Sequence, residues 1–214
     1  LNLLDGKAAT NLALVGKQGG TNFTNSLLVG HATTGTLNAA DNNIGIGVGS
    51  LEAITTADKT VAIGVDSGES LTTGNNNTLI GYQAGQGVQG GTENVVVGHN
   101  ALGTASNSSM SHNAILGSNA LEVATAASFV TAVGRDAGRA LTTGDRNIFL
   151  GYDSGDNVTT GIGNVIIGTV DADAVDSTRT LKIAGNDGST TTTWISGDSN
   201  GVVTFADDII IKDA

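Results

Sequence analysis

The 214 residues carry a formal charge of −11, with 14% charged and 3% aromatic side chains, no proline and no cysteine. That acidic balance lacks the basic face needed for phosphate contact, which argues against nucleic acid as a partner, and the missing cysteine excludes disulfide frameworks and thiolate metal sites. No apolar run is long enough to span a bilayer, so membrane insertion is not expected.

Gly, Thr, Asn, Ala and Ser dominate the chain. That composition would read as disorder if it were aperiodic, but it is strictly periodic. Two variable residues, an aliphatic and then glycine recur at Gly16, Gly30, Gly47, Gly64, Gly81, Gly98, Gly117, Gly134, Gly151, Gly168 and Gly185; eight of the ten intervals are 17 residues, the others 14 and 19. A fixed period means one supersecondary unit stacked on itself, a rod with no obvious catalytic cleft. Residues 1–24 hold one degenerate unit, Leu14-Val15-Gly16, and are expected to form an N-terminal cap or connector. They show no signal-peptide pattern, and the start at Leu1-Asn2 without methionine leaves the natural N-terminus open.

Residues 25–185 are the expected rod. With each glycine as position zero, position −4 is Asn in six units: Asn43, Asn77, Asn94, Asn113, Asn147 and Asn164. Positions −3 and −1 are mostly aliphatic (Ile44 and Ile46, Val95 and Val97, Ile148 and Leu150) and share one strand face. Position −2, on the opposite face, is mostly apolar too (Leu79, Val96, Ile115, Phe149, Ile166). A strand apolar on both faces is built for burial on both. Seven residues past the glycine a second aliphatic recurs at Ile54, Leu71, Val88, Leu141 and Val158, followed by Thr-Thr and often Gly. This pattern predicts a second short strand closed by a tight turn. Two strands and two turns per coil, with coils ~4.8 Å apart, give a parallel β-solenoid about 50 Å long. A coil of 17 residues can bury one strand face within itself but not two. The other face is expected to meet further copies of the chain, as a homotrimer.

The recurring Asn is expected to bond its own turn and stack in a ladder along the rod, and the Thr pairs likewise; a hydroxyl array that binds ice fits the Thr edge less well. In Gly98–Gly117, the two extra residues of the 19-residue unit are expected to bulge between Ser106 and Ser111.

Phrases such as Asn-Asn-Thr-Leu-Ile-Gly-Tyr-Gln-Ala-Gly (76–85), Asn-Val-Val-Val-Gly-His-Asn-Ala-Leu (94–102) and Asn-Ala-Ile-Leu-Gly-Ser-Asn-Ala-Leu (113–121) resemble the head repeats of trimeric autotransporter adhesins. They look still more like the repeats of phage tail fibres and tailspikes. The likeness covers about residues 25–185. It implies left-handed parallel β-rolls, three chains side by side, that attach to surfaces, although the adhesin repeat is shorter than 17 residues.

From Arg179-Thr180-Leu181-Lys182-Ile183 onward the period is expected to be lost. Thr193-Trp194-Ile195-Ser196-Gly197-Asp198, Gly201-Val202-Val203-Thr204-Phe205 and Asp207-Asp208-Ile209-Ile210-Ile211 read as short strands between Gly/Asn/Asp turns. Residues 186–214 are thus expected to be a C-terminal, β-prism-like segment. The resemblance implies that a self-cleaving chaperone follows such a segment, so that Ala214 would be a processed end.

Few residues invite chemistry. His31 and His99 both follow a repeat glycine, where three copies could meet on an axis and hold a metal, but Val48, Val65 and Tyr82 fill the same place elsewhere. Asp66, Asp136 and Asp153 recur two past the glycine, a repeat spacing rather than a glycosidase pair. Gly185-Asn186-Asp187-Gly188 hints at a calcium loop whose nonapeptide pattern does not recur. The sequons at Asn22, Asn76, Asn107 and Asn157 matter only in a glycosylating pathway. Tyr82, Tyr152 and Trp194 are the candidate receptor contacts, each with a plain packing role as the alternative. No cofactor or metal is expected. The sequence thus points to a non-enzymatic fibre segment of a phage tail, located on the virion and attaching to a host surface glycan or protein, with other tail or fibre proteins as partners. The alternatives are a bacterial trimeric surface adhesin or extracellular filament subunit, at the bacterial cell surface, and, third, a polysaccharide-degrading tailspike.

Overall fold

The computed structural model describes residues 16–18, 22–30, 34–103 and 109–207. Each coil contributes one three-residue strand ending just before the repeat glycine: β2 (Leu27–Val29), β3 (Ile44–Ile46), β4 (Val61–Ile63), β5 (Thr78–Ile80), β6 (Val95–Val97), β7 (Ala114–Leu116), β8 (Thr131–Val133), β9 (Ile148–Leu150) and β10 (Val165–Ile167). They stack in chain order as a parallel sheet that continues into β11 (Leu181–Asn186), forming a solenoid of about nine coils with no helix among the described residues.

Two turns bracket each strand. At position −5 the backbone is left-handed whatever the residue, from Lys59 (φ 55) to Phe129 (φ 61) and Arg146 (φ 59). At position zero the glycine takes φ between 102 and 151 from Gly30 to Gly168, where L-residues are strained. A β-carbon on Gly64 or Gly117 would also collide with the carbonyl of the next repeat glycine. The glycine column is therefore a requirement of coil stacking.

The strand's middle residue points inward. Leu79, Val96, Ile115, Phe149 and Ile166 are fully buried, whereas positions −3 and −1 face outward. Ile115 and Ile166 accordingly belong to the coil interior and not to a surface between chains. The interior is one side chain wide, and neighbouring coils match volumes across it. Phe149 fits because Gly138 and Gly155 flank it; a β-carbon on either would lie 2.5 Å from its ring. Leu79 sits in the same way between Gly68 and Gly85, with 2.8 Å clearances.

The expected second strand does not form. Ile54, Leu71, Val88, Leu141 and Val158 do point into the core, but the chain bends around one carbonyl there. The N–H groups of Thr55, Thr56 and Ala57 all converge on the Thr72 oxygen at 3.0 to 3.1 Å. Left-handed residues at Gly49 and Leu51 earlier in the same coil prevent an extended run. Among the described residues each coil thus holds one strand and a long series of turns tied to the next coil.

The ends depart from the period. β1 (Gly16–Gln18) begins at Gly16 and runs antiparallel to β2, so the 14-residue interval is not a coil. At the other end Ile167 pairs with Ile183, which puts Ala184 in the repeat-glycine place and leaves Gly185 inside β11. There the sheet changes to an antiparallel meander through β12 (Thr191–Gly197) and β13 (Val203–Phe205). The 19-residue unit keeps register, with Val96 beside Ile115; residues 106–108 of the expected bulge lie outside the described residues.

Candidate functional site

Because the middle residue of every strand is inward, positions −3, −1 and +1 line up along the outside. Leu27, Ile44, Ile46, Val48, Ile63, Val65, Val95, Leu116, Val133 and Ile148 form a stripe on this face, each between 36% and 61% exposed. Thr78, Thr131 and Arg135 interrupt it. Among the described residues of the coils, most of the exposed large apolar side chains thus fall at these three positions.

Two of the three candidate receptor contacts lie on this stripe. Tyr82 is half exposed and stacks on His99 of the next coil, ring centroids 5.2 Å apart at 13°. Tyr152 is likewise half exposed and carries the Arg135 guanidinium 4.3 Å above its ring. Trp194 is separate, on β12. His31 lies outside the described residues, and His99 is engaged by Tyr82. His112 stacks on Phe129 at 4.8 Å and 6°, with its Nε2 3.6 Å from a Glu93 carboxylate oxygen. Among the described residues no three His, Cys, Asp or Glu side chains gather to hold a metal ion.

The Asn column is buried and continuous where consecutive coils carry Asn. Asn94 Nδ2 donates to Asn77 Oδ1 (3.0 Å) and to the Met110 carbonyl (2.8 Å). Its Oδ1 accepts from the Asn113 N–H (3.2 Å) and Asn113 Nδ2 (3.0 Å). Asn43, Asn147 and Asn164 make the same turn-spanning bond, to the carbonyls of Ala57, Gly161 and Ser177.

The acidic residues at +2 serve the coil edge. Asp66 accepts from Gln83 Nε2 at 3.5 Å, and Asp136 accepts from Asn119 Nδ2 at 3.0 Å beside Arg135 at 2.6 Å. A further column escaped the sequence reading: Asp41, Asp58 and Asp145 at −6 accept backbone N–H groups of the preceding coil at 2.7 to 2.9 Å. Its signal was the recurrence of Asp, Asn or Ser six residues before the glycine.

The two larger of the hollows found among the described residues lie at the switch from parallel to antiparallel pairing. One, about 550 Å³, is lined by Asp153, Asp156, Asp171 and Lys182 among others. Burial there, then the Asp171 and Asp153 charges, push the Asp156 carboxyl above its ordinary value. Lys182 Nζ is paired with Asp173. The other, about 450 Å³, lies beside Trp194. Comparison of the chain with protein-family models, with curated proteins and with solved structures returns no match.

Proposed function

We propose that the chain is a structural and adhesive fibre segment of a phage tail, assembled as a homotrimer and attaching the virion to a host surface. The observation that carries this reading is the outward apolar stripe, in register along a rod whose coils are thin. Fully burying an aliphatic side chain is worth about 1.5–3 kcal/mol, so covering the exposed part of each stripe residue contributes about 1 kcal/mol. Ten such residues per copy supply roughly 10 kcal/mol, within the range of about 4–15 kcal/mol that association costs. In a closed ring of three copies the −3 edge of the stripe would meet one neighbour and its +1 edge the other. The repeat's likeness to fibre and adhesin repeats supports the same assignment. Multi-angle light scattering is expected to give a mass near three times the 21.2 kDa of one chain. A folded, monodisperse monomer would refute the assembly.

A further inference from the structure

β11 and β12 pair residue for residue except at one place. Ala184 faces Thr193 and Ile183 faces Ile195, so Trp194 is the extra residue of a β-bulge. Bulges re-aim the side chain they carry and gather beside binding sites. This one is held in place, since the Trp194 carbonyl accepts the Ala206 N–H at 3.0 Å. The benzo edge of the indole lies over Gly185, where a β-carbon would collide with it, yet the residue stays 54% exposed. Glycine on the neighbouring strand thus supports the ring without covering it. Beside the ring is the 450 Å³ hollow, walled by Gly185, Asn186, Asp187, Thr190 and Thr192.

The polar wall is prearranged. Asp187 Oδ1 accepts the Ser189 N–H, the Ser189 hydroxyl and the Thr190 N–H at 2.8 to 2.9 Å. Asn186 accepts the Gly188 N–H and donates to the Thr191 hydroxyl, both at 2.7 Å. A bare aromatic surface beside hydroxyls and a fixed carboxylate matches one ligand chemistry. A pyranose ring has an apolar C–H face that packs on an aromatic ring and a rim of hydroxyls for polar partners. The Asp187 charge, on a chain of net −11, disfavours uronates and other acidic sugars. Tyr82 and Tyr152 lack this setting, being stacked within the repeat columns.

The geometry points to a glycan subsite on the β11–β12 hairpin, where a neutral pyranose stacks on Trp194 with its hydroxyls toward Thr190, Thr192 and Asp187. This rests on the reading of the chain as an attachment fibre and specifies the class of ligand. The sequence holds a single tryptophan, so fluorescence excited selectively in the indole reports this site alone. Titrating the assembled protein with neutral galactan and glucan oligosaccharides should give, for at least one, a saturable emission shift and about twofold protection from acrylamide quenching. Galacturonan oligosaccharides should give neither, and Asp187→Asn, which keeps the Oδ1 acceptor, should admit them. By calorimetry Trp194→Ala should weaken neutral-glycan binding at least tenfold, and Trp194→Phe less. No saturable response to any neutral oligosaccharide overturns the subsite, as does a Trp194→Ala variant that binds equally tightly. A fall in assembly mass in that variant also overturns it, because the indole would then be a contact between copies. Should the alanine variant misfold, the fluorescence of the unmodified protein decides. Adhesion of the unmodified protein to host cells, with fluorescence unmoved by every sugar, sinks the subsite and leaves the attachment reading standing.

Discussion

Replacing Asn94 by alanine cuts the Asn ladder at its middle and tests whether these side chains hold the coils together. The variant loses both Nδ2 donations and both bonds accepted by Oδ1. Not every partner is orphaned. Asn77 Oδ1 keeps the Asn94 backbone N–H at 3.0 Å. The Met110 carbonyl has a second donor within reach, by analogy with the coil in which position −4 is Val130. There Asn147 Nδ2 turns to the carbonyl three residues before it, that of Gly144, at 3.0 Å. Asn113 stands in the same relation to Met110. The group left without a partner is therefore the buried Asn113 N–H, which costs about 1–3 kcal/mol, and the alanine leaves a small void worth about 1 kcal/mol. The sum is about 3 kcal/mol, or at about 2–4 °C per kcal/mol a melting-temperature drop near 10 °C. Asn94→Val fills the void and should cost about 1 kcal/mol less. Thermal unfolding by circular dichroism reads both. Hydrogen exchange should show lost protection centred on β6 and β7, since repeat stability is a sum of neighbour terms. A valine variant less stable than the alanine variant, or an alanine cost below about 0.5 kcal/mol, would refute this account.

Gly138→Ala drives a methyl into the Phe149 ring at a residue with φ 59, and should cost about 2–4 kcal/mol from overpacking and left-handed strain together. Phe149→Leu in the same chain should recover part of that loss in a double-mutant cycle, and full additivity would show that the two do not share the space. Ile46→Asp with Leu116→Asp, both outward, should dissociate the assembly while leaving the coil's circular dichroism intact. Ile115→Asp or Ile166→Asp, both inward, should instead unfold the coil, and the same light-scattering and dichroism result for both pairs would refute the assignment of faces. The turn at Asp187 should weaken only in strong acid. Backbone N–H groups, Ser189 first and then Thr190, hold its carboxyl below the ordinary 3.8, so the turn's stabilisation is full above that value and fades as pH falls through the lower folded value. Amide resonances of Ser189 and Thr190 that already shift between pH 4 and 5 would contradict it.

The sequence by itself determined the solenoid, because a glycine that must lie under the carbonyl of the next coil cannot vary, and its 17-residue recurrence is visible without coordinates. It equally marked the Asn column, since an amide that satisfies a turn carbonyl and the next coil's N–H has no substitute with the same bonds. Other features were decided only by the tertiary structure. Ile115 inward and Leu116 outward are equally apolar letters, and alternation says that they differ in face without saying which is inside. The turns choose, and they do so through left-handed residues at −5, +2 and +4 that include Lys59, Phe129, Leu51 and Leu121, types that do not announce that conformation. The same hidden turns replaced the expected second strand by a bend at Thr55–Ala57. At the ends, pairing overrode spacing: Ala184 took the glycine place, Gly16 joined an antiparallel strand, and a one-residue slip on β12 turned Trp194 into a bulge. Register is a property of two strands together, and no single stretch of residues contains it.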